Sequence, residues 1–110
     1  MDVIARIEQQ LQAHPVMLYM KGTPDFPQCG FSARAVQILE QCHAEFGYVN
    51  VFEDPEVREN LKVYSNWPTF PQLFIKGELV GGSDIMLELF QSGELRKMLA
   101  TVQDTEGDQN

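Results

Sequence analysis

The sequence predicts an α/β fold: a four-stranded mixed sheet with helices on both faces. Three observations predict it. Val16-Met17-Leu18-Tyr19-Met20 is an unbroken apolar run between Pro15 and Gly22, the pattern of a strand buried on both faces and central in its sheet. A helical stripe and a second apolar run, Tyr48-Val49-Asn50-Val51-Phe52, follow it, and strand, helix, strand is the right-handed parallel unit. Farther on, Thr69 to Ile75 and Leu79-Val80 flank the turn Lys76-Gly77-Glu78, which makes that pair antiparallel.

The elements follow in order α-β-α-β-α-β-β-α-α. Val3, Ile4, Ile7 and Leu11 recur at helical spacing, and that helix ends before Pro15. After the first strand, Gly22-Thr23-Pro24-Asp25-Phe26-Pro27-Gln28 reads as a loop kept extended by its two prolines. From Gly30 the stripe Phe31, Ala35, Val36, Leu39, Cys42 and Phe46 predicts a helix running to Phe46, with Gly47 as terminator. Asp54 caps the next helix, Pro55 opens it, and Val57, Leu61 and Tyr64 share its apolar face. Gly81-Gly82 ends the hairpin, and Ser83-Asp84 caps a helix from Ile85 to about Gln91. Gly93 breaks it, and Leu95, Met98, Leu99 and Val102 carry the last helix. The expected division is one domain, 1–102, and a disordered acidic tail, 103–110, with no apolar residue after Val102.

The chain of 110 residues is long enough for one core but not two, and its 44% apolar content excludes a wholly disordered chain. No apolar stretch approaches the roughly 18 residues of a membrane span. The N-terminus Met1-Asp2-Val3-Ile4 has no basic region of a secretory signal, so a cytoplasmic location is expected. A net charge of −8 argues against nucleic acid or an anionic membrane as partner. Two cysteines, Cys29 and Cys42, cannot frame a disulfide scaffold. With the segment between them read as one helix, they lie roughly 20 Å apart and cannot bridge each other. Cys42 reads as a buried or half-buried residue. His14 and His43 are not at ligand spacing with Cys29 and read as surface or helix-end residues.

The candidate reactive group is Cys29, in Cys29-Gly30-Phe31-Ser32. It lies where loop becomes helix, at the carboxyl end of the first strand, where open α/β sheets place ligand sites. The position for the second thiol of a Cys-x-x-Cys pair holds Ser32. A hydroxyl cannot close a disulfide, so any further sulfur must come from another molecule. Whether it acts as a nucleophile or as a metal ligand, the sulfur must be a thiolate. Helix-start amides and the ammonium of Lys21 can stabilise that anion. Gly30 leaves room for close approach of a ligand. Phe31 reads equally as core or as a wall of the site. Ser32 reads as a weak donor to the sulfur or as a plain first-turn residue.

Four segments recur together: Leu18-Tyr19-Met20-Lys21-Gly22, Cys29-Gly30-Phe31-Ser32, Trp67-Pro68-Thr69-Phe70-Pro71-Gln72 and Gly81-Gly82-Ser83-Asp84. In order and spacing the chain resembles the monothiol (CGFS-type) glutaredoxins of the thioredoxin-like fold, in their bacterial single-domain form, over about Ile4 to Val102. The resemblance implies a cis bond before Pro71, with the backbone of Phe70 presented beside Cys29 to an extended peptide. It assigns Lys21, Arg58, Phe70, Ser83 and Asp84 to glutathione, with Lys62 and Thr69 as second-tier contacts. It also implies a 2Fe-2S cluster shared between two subunits, Cys29 being this chain's metal ligand, in a homodimer that serves iron–sulfur cluster assembly and transfer. Such relatives form heterodimers with BolA-like proteins and deliver clusters to apo iron–sulfur proteins. The alternative is a glutathione-dependent thiol–disulfide oxidoreductase that removes glutathione from proteins. The lengthened loop from Gly22 to Gln28 favours the cluster, since relatives with that loop are generally poor oxidoreductases. Many relatives carry a cysteine where this chain has Ser83, so an intramolecular disulfide route is in doubt here.

Overall fold

The structure, a computed structural model, describes residues 2–102 and continues the backbone of the last helix to 108. The expected disordered tail, 103–110, lies outside the fully described residues. The elements are α1 (Val3–Ala13), β1 (Val16–Met20), α2 (Gly30–Gln41), β2 (Gly47–Asn50), α3 (Pro55–Ser65), β3 (Gln72–Ile75), β4 (Glu78–Gly81), α4 (Ser83–Ser92) and α5 (Glu94–Asp108). Their order is the expected one.

The sheet order is β2-β1-β3-β4. β1 runs parallel to β2 and antiparallel to β3, and β3 and β4 form the hairpin. All of β1 is buried, because helices cover both faces of the sheet. Its side chains alternate between them. Val16, Leu18 and Met20 join α2, α4 and α5 through Ala35, Leu39, Met86, Leu95 and Leu99. Met17 and Tyr19 face the other way, toward Ile7, Leu11, Val57, Leu61 and Phe74. There the Tyr19 ring meets Phe74 edge-on at 5.6 Å, and its hydroxyl donates to Gln10 at 2.9 Å. The expected mixed sheet with helices on both faces is therefore what forms.

Several boundaries differ from the sequence expectation. Helix α2 stops at Gln41 rather than Phe46. The N–H of His43 bonds the carbonyl of Glu40 at 3.0 Å and that of Ala44 the carbonyl of Leu39 at 3.0 Å, with His43 left-handed at φ 56. This pair of reversed bonds is the Schellman closure, here built on histidine instead of glycine. Phe46 still packs against the core, but from outside the helix. Gly47 opens β2 instead of terminating α2, and a Cβ there would run into the His14 ring.

β2 ends at Asn50 and β3 begins at Gln72, so Val51-Phe52 and Thr69-Phe70-Pro71 are turn segments rather than strand. Tyr64 is exposed, unlike Val57 and Leu61, because it lies at the rim of the α3 contact. The loop after β1 is not extended. Thr23 and Phe26 exchange backbone hydrogen bonds of 3.3 and 3.0 Å, and Gln28 N–H bonds the Lys21 carbonyl at 2.9 Å. Gly22 makes that tight return possible: φ is +96, and a Cβ would lie 2.5 Å from the Phe26 carbonyl oxygen. Ser83 and Asp84 are the first residues of α4, not its cap; the N-cap is Gly82. Asp54 does cap α3, accepting from Val57 N–H at 3.2 Å.

Candidate functional site

Cys29 is the N-cap of α2, with extended backbone at φ −155 and ψ 138. Its carbonyl accepts the first helical bond from Ala33 at 2.9 Å. The side chain closes no cap hydrogen bond and is only partly buried. The N–H groups at the helix mouth still favour its anion. The Ser32 N–H pulls the thiol pKa down most and partial burial pushes back; the Phe31 N–H, the charge of Lys21 and the Ser32 hydroxyl pull down further. The net direction is below the ordinary thiol value, which leaves an accessible, activated sulfur. Cys42 is the opposite case: it caps the far end of α2, and burial raises its thiol, opposed by Arg96.

Ser32 has a definite use. It is fully buried, and its Oγ accepts from the backbone N–H of Lys21 at 3.0 Å. One hydroxyl thus ties the first turn of α2 to the end of β1. Lys21 and Cys29 are held in relation by that bond and by the folded loop between them.

A cleft of about 380 Å³ is lined by Lys21, Phe31, Thr69, Phe70, Pro71, Ser83 and Asp84 among others; Cys29 and Gly30 are not in its lining, which reaches the helix mouth through Phe31. Seven residues singled out from the sequence therefore share one cavity. Phe31 is 57% exposed, which decides its reading: it is a wall of the site and not core. Phe70 is buried with the cluster beneath α1 and α3, so its backbone is what it offers a ligand. The Phe70–Pro71 bond is cis, as the resemblance implied. Gly30 is exposed at the helix mouth with open space where a Cβ would stand. Arg58 does not line the cleft; its guanidinium sits over the Phe52 ring, 5.3 Å from the centroid. Lys62 pairs with Glu59 one turn away at 3.4 Å.

The cleft has members that sequence reasoning passed over: Trp67, Gly82 and Ile85. The signal for Trp67 was present, because a tryptophan before Pro68 at a strand entry is an amphipathic ring with nowhere to bury completely. Space at Gly82 is tight: a Cβ would lie 3.2 Å from the Pro71 carbonyl oxygen and 3.3 Å from Trp67 Nε1, so a neighbour would have to give slightly. Trp67 Nε1 and Ser83 Oγ are buried there without a hydrogen-bond partner. Arg34, on α2, reaches Asp84 on α4 at 3.8 Å with both groups exposed. No cluster of three or more His, Cys, Asp or Glu able to hold a metal exists among the described residues.

Known proteins of this shape are similar to this chain in sequence. The family model described as Glutaredoxin matches residues 16–80. "Glutaredoxin 4" of Pasteurella multocida is 54% identical over 102 residues, covering 93% of this chain and 94% of the relative. "Probable monothiol glutaredoxin GrlA" of Legionella pneumophila is 63% identical over 83 residues, covering 76% of this chain and 93% of the relative. The solution structure of reduced poplar apo GrxS14 superposes with a TM-score of 0.81 at 48% identity, covering 92% of this chain and 93% of that one. The chain belongs to the glutaredoxin family, with the thioredoxin-like fold and the single motif thiol of its monothiol members.

Proposed function

We propose that this protein binds glutathione, takes a 2Fe-2S cluster at a homodimer interface, and acts as a cytoplasmic carrier in iron–sulfur cluster assembly and transfer. The observation that supports this reading is an activated Cys29 with no second thiol at its site, whose neighbours Lys21 and Phe31 line a cleft suited to a peptide. Cys42 cannot serve, being at the other end of α2. A 2Fe-2S cluster takes four thiolates. One chain supplies one, two chains supply two, and two glutathione thiols complete the set. The donors fit a shared, releasable cluster, which here is cargo passed on to apo iron–sulfur proteins. A BolA-like protein is a further partner in this reading.

Within the cleft, the ammonium of Lys21 faces a peptide carboxylate. The backbone of Phe70 pairs with the peptide in strand fashion. The amides opening α4 at Ser83 and Asp84 suit the glutamyl carboxylate, and the Asp84 carboxylate suits the glutamyl amine. Thr69 and Phe31 wall the cavity, Pro71 shapes its floor, and Gly30 admits the ligand at the helix mouth. Arg58, outside the cleft lining, takes the remaining carboxylate.

A second reading draws on the lowered Cys29 thiol itself. The thiolate attacks the glutathione sulfur of a protein mixed disulfide, and the client thiolate leaves. A second glutathione thiolate then attacks glutathionylated Cys29, releasing oxidised glutathione and regenerating the thiolate.

Anaerobic reconstitution with iron, sulfide and glutathione separates the two. The carrier gives a brown dimer that becomes a colourless monomer on adding chelator. Cys29→Ser stays colourless, and Cys42→Ser behaves as wild type. A colourless wild-type monomer that rapidly reduces a small glutathione mixed disulfide would replace the carrier by the oxidoreductase.

A further inference from the structure

Asn50, the last residue of β2, holds two chain segments together by one side-chain oxygen. Its Oδ1 accepts the backbone N–H of Gly22 at 3.0 Å and the backbone N–H of Phe52 at 3.0 Å. Its Nδ2 donates to the Glu53 carboxylate at 3.4 Å. Both N–H groups lie beyond the ladder, which closes with Met20 opposite Asn50 and the Val51 N–H on the Met20 carbonyl at 2.9 Å. Gly22 directly follows Lys21. Phe52 is the ring on which the Arg58 guanidinium rests at 5.3 Å. The side chain of Asn50 therefore bonds the residue next to Lys21 and the residue whose ring carries Arg58.

We infer that Asn50 is a positioning residue for ligand binding: its side-chain oxygen joins the segment after Lys21 to the segment beneath Arg58, and so sets the spacing of the two cations that receive a dicarboxylate tripeptide. This rests on the glutathione reading above. The physical reason is preorganisation. Two flexible cationic side chains bind two carboxylates well only when their backbones are held at the matching separation, since otherwise binding must also order them. Without the Asn50 acceptor, two N–H groups past the sheet lose their partner and both segments relax.

The test is calorimetric titration of glutathione into the cluster-free protein, with thermal unfolding followed in parallel. Asn50→Leu, similar in size but apolar, raises Kd about tenfold, the scale of one hydrogen bond. Asn50→Asp keeps the acceptor and stays within about threefold, half the logarithm of that loss. In an Arg58→Ala background Asn50→Leu adds less than about threefold, because one of the two cations whose spacing matters is gone. Phe52→Leu reads the same coupling without touching the loop: it raises Kd, and Arg58→Ala erases its effect. Equal factors for Asn50→Leu with and without Arg58 would show a merely structural role and overturn the assignment. So would an unchanged Kd in Asn50→Leu or in Phe52→Leu while wild type binds. If wild type itself takes up no glutathione, the glutathione reading falls and this role with it.

Discussion

The acidity of Cys29 comes from neighbours of two kinds. Ser32 and Phe31 lie in the same helical turn, so their N–H groups follow once a helix begins at Gly30; Lys21 directly follows β1. The shift is downward, so the thiolate persists to lower pH than in a free cysteine. Alkylation of Cys29, proportional to thiolate, is expected to slow as pH falls, with a midpoint below the free-thiol value of about 8.5. Ser32→Ala removes one contributor and the acceptor for the Lys21 N–H, and moves the midpoint upward. A rate–pH profile with iodoacetamide reads both; a wild-type midpoint at or above the free value would remove the activated thiolate. The linkage has the same sign. A thiol depressed in the folded state contributes stability above its unfolded pKa, and this is lost as pH falls through the folded value. At this scale the sequence was legible where chemistry is tied to residue type, as for Cys29 and Lys21. It was not legible for Ser32, whose partner lies eleven positions away, or for Asn50, which reads as an ordinary strand residue until the loop folds onto it.

The start of α3 was readable and the end of α2 was not. Asp54 before Pro55 carries a local signal, a short acceptor ahead of a preset φ, and it caps α3 as expected. Asp54→Ala is expected to lower stability by about 0.5–2 kcal/mol in urea unfolding, the range for a lost N-cap. It also removes the oxygen that Arg6 of α1 reaches at 3.0 Å, although that pair is partly exposed and adds little. An unchanged midpoint would mean that the cap is redundant with Pro55. The end of α2 eluded sequence reading because a histidine takes the left-handed position commonly given to glycine, while apolar periodicity runs on to Phe46. The loop from Gly22 to Gln28 was misread for a related reason. Its prolines suggested extension, but the positive φ of Gly22 and the bonds between Thr23 and Phe26 fold it back. That fold places Cys29 close to the end of β1.

For the whole molecule, stability rests on two apolar clusters separated by one thin sheet. Leu39 is fully buried in the larger of them. Leu39→Ala is expected to cost about 2–5 kcal/mol by the lost transfer term and the cavity it leaves. Because α2 carries Cys29, glutathione affinity is expected to fall with it; denaturant unfolding alongside titration would show whether the two losses move together. If stability drops while binding holds, the helix mouth is positioned by Ser32 and the loop alone. No helix among the described residues is long and apolar enough to cross a membrane.

The sequence by itself determined the element order, the central buried strand, the hairpin, the cap on α3, and the lone thiol at a helix mouth. Each depends on periodicity or on a residue's own chemistry over a few neighbouring positions. Only the tertiary structure decided that Phe31 faces the cleft, that Trp67, Gly82 and Ile85 complete it, that Arg58 rests on Phe52, and that Asn50 ties two distant segments together. These are contacts between segments far apart in the chain. They arise from how two helical layers close on the sheet, which no local pattern of residues encodes.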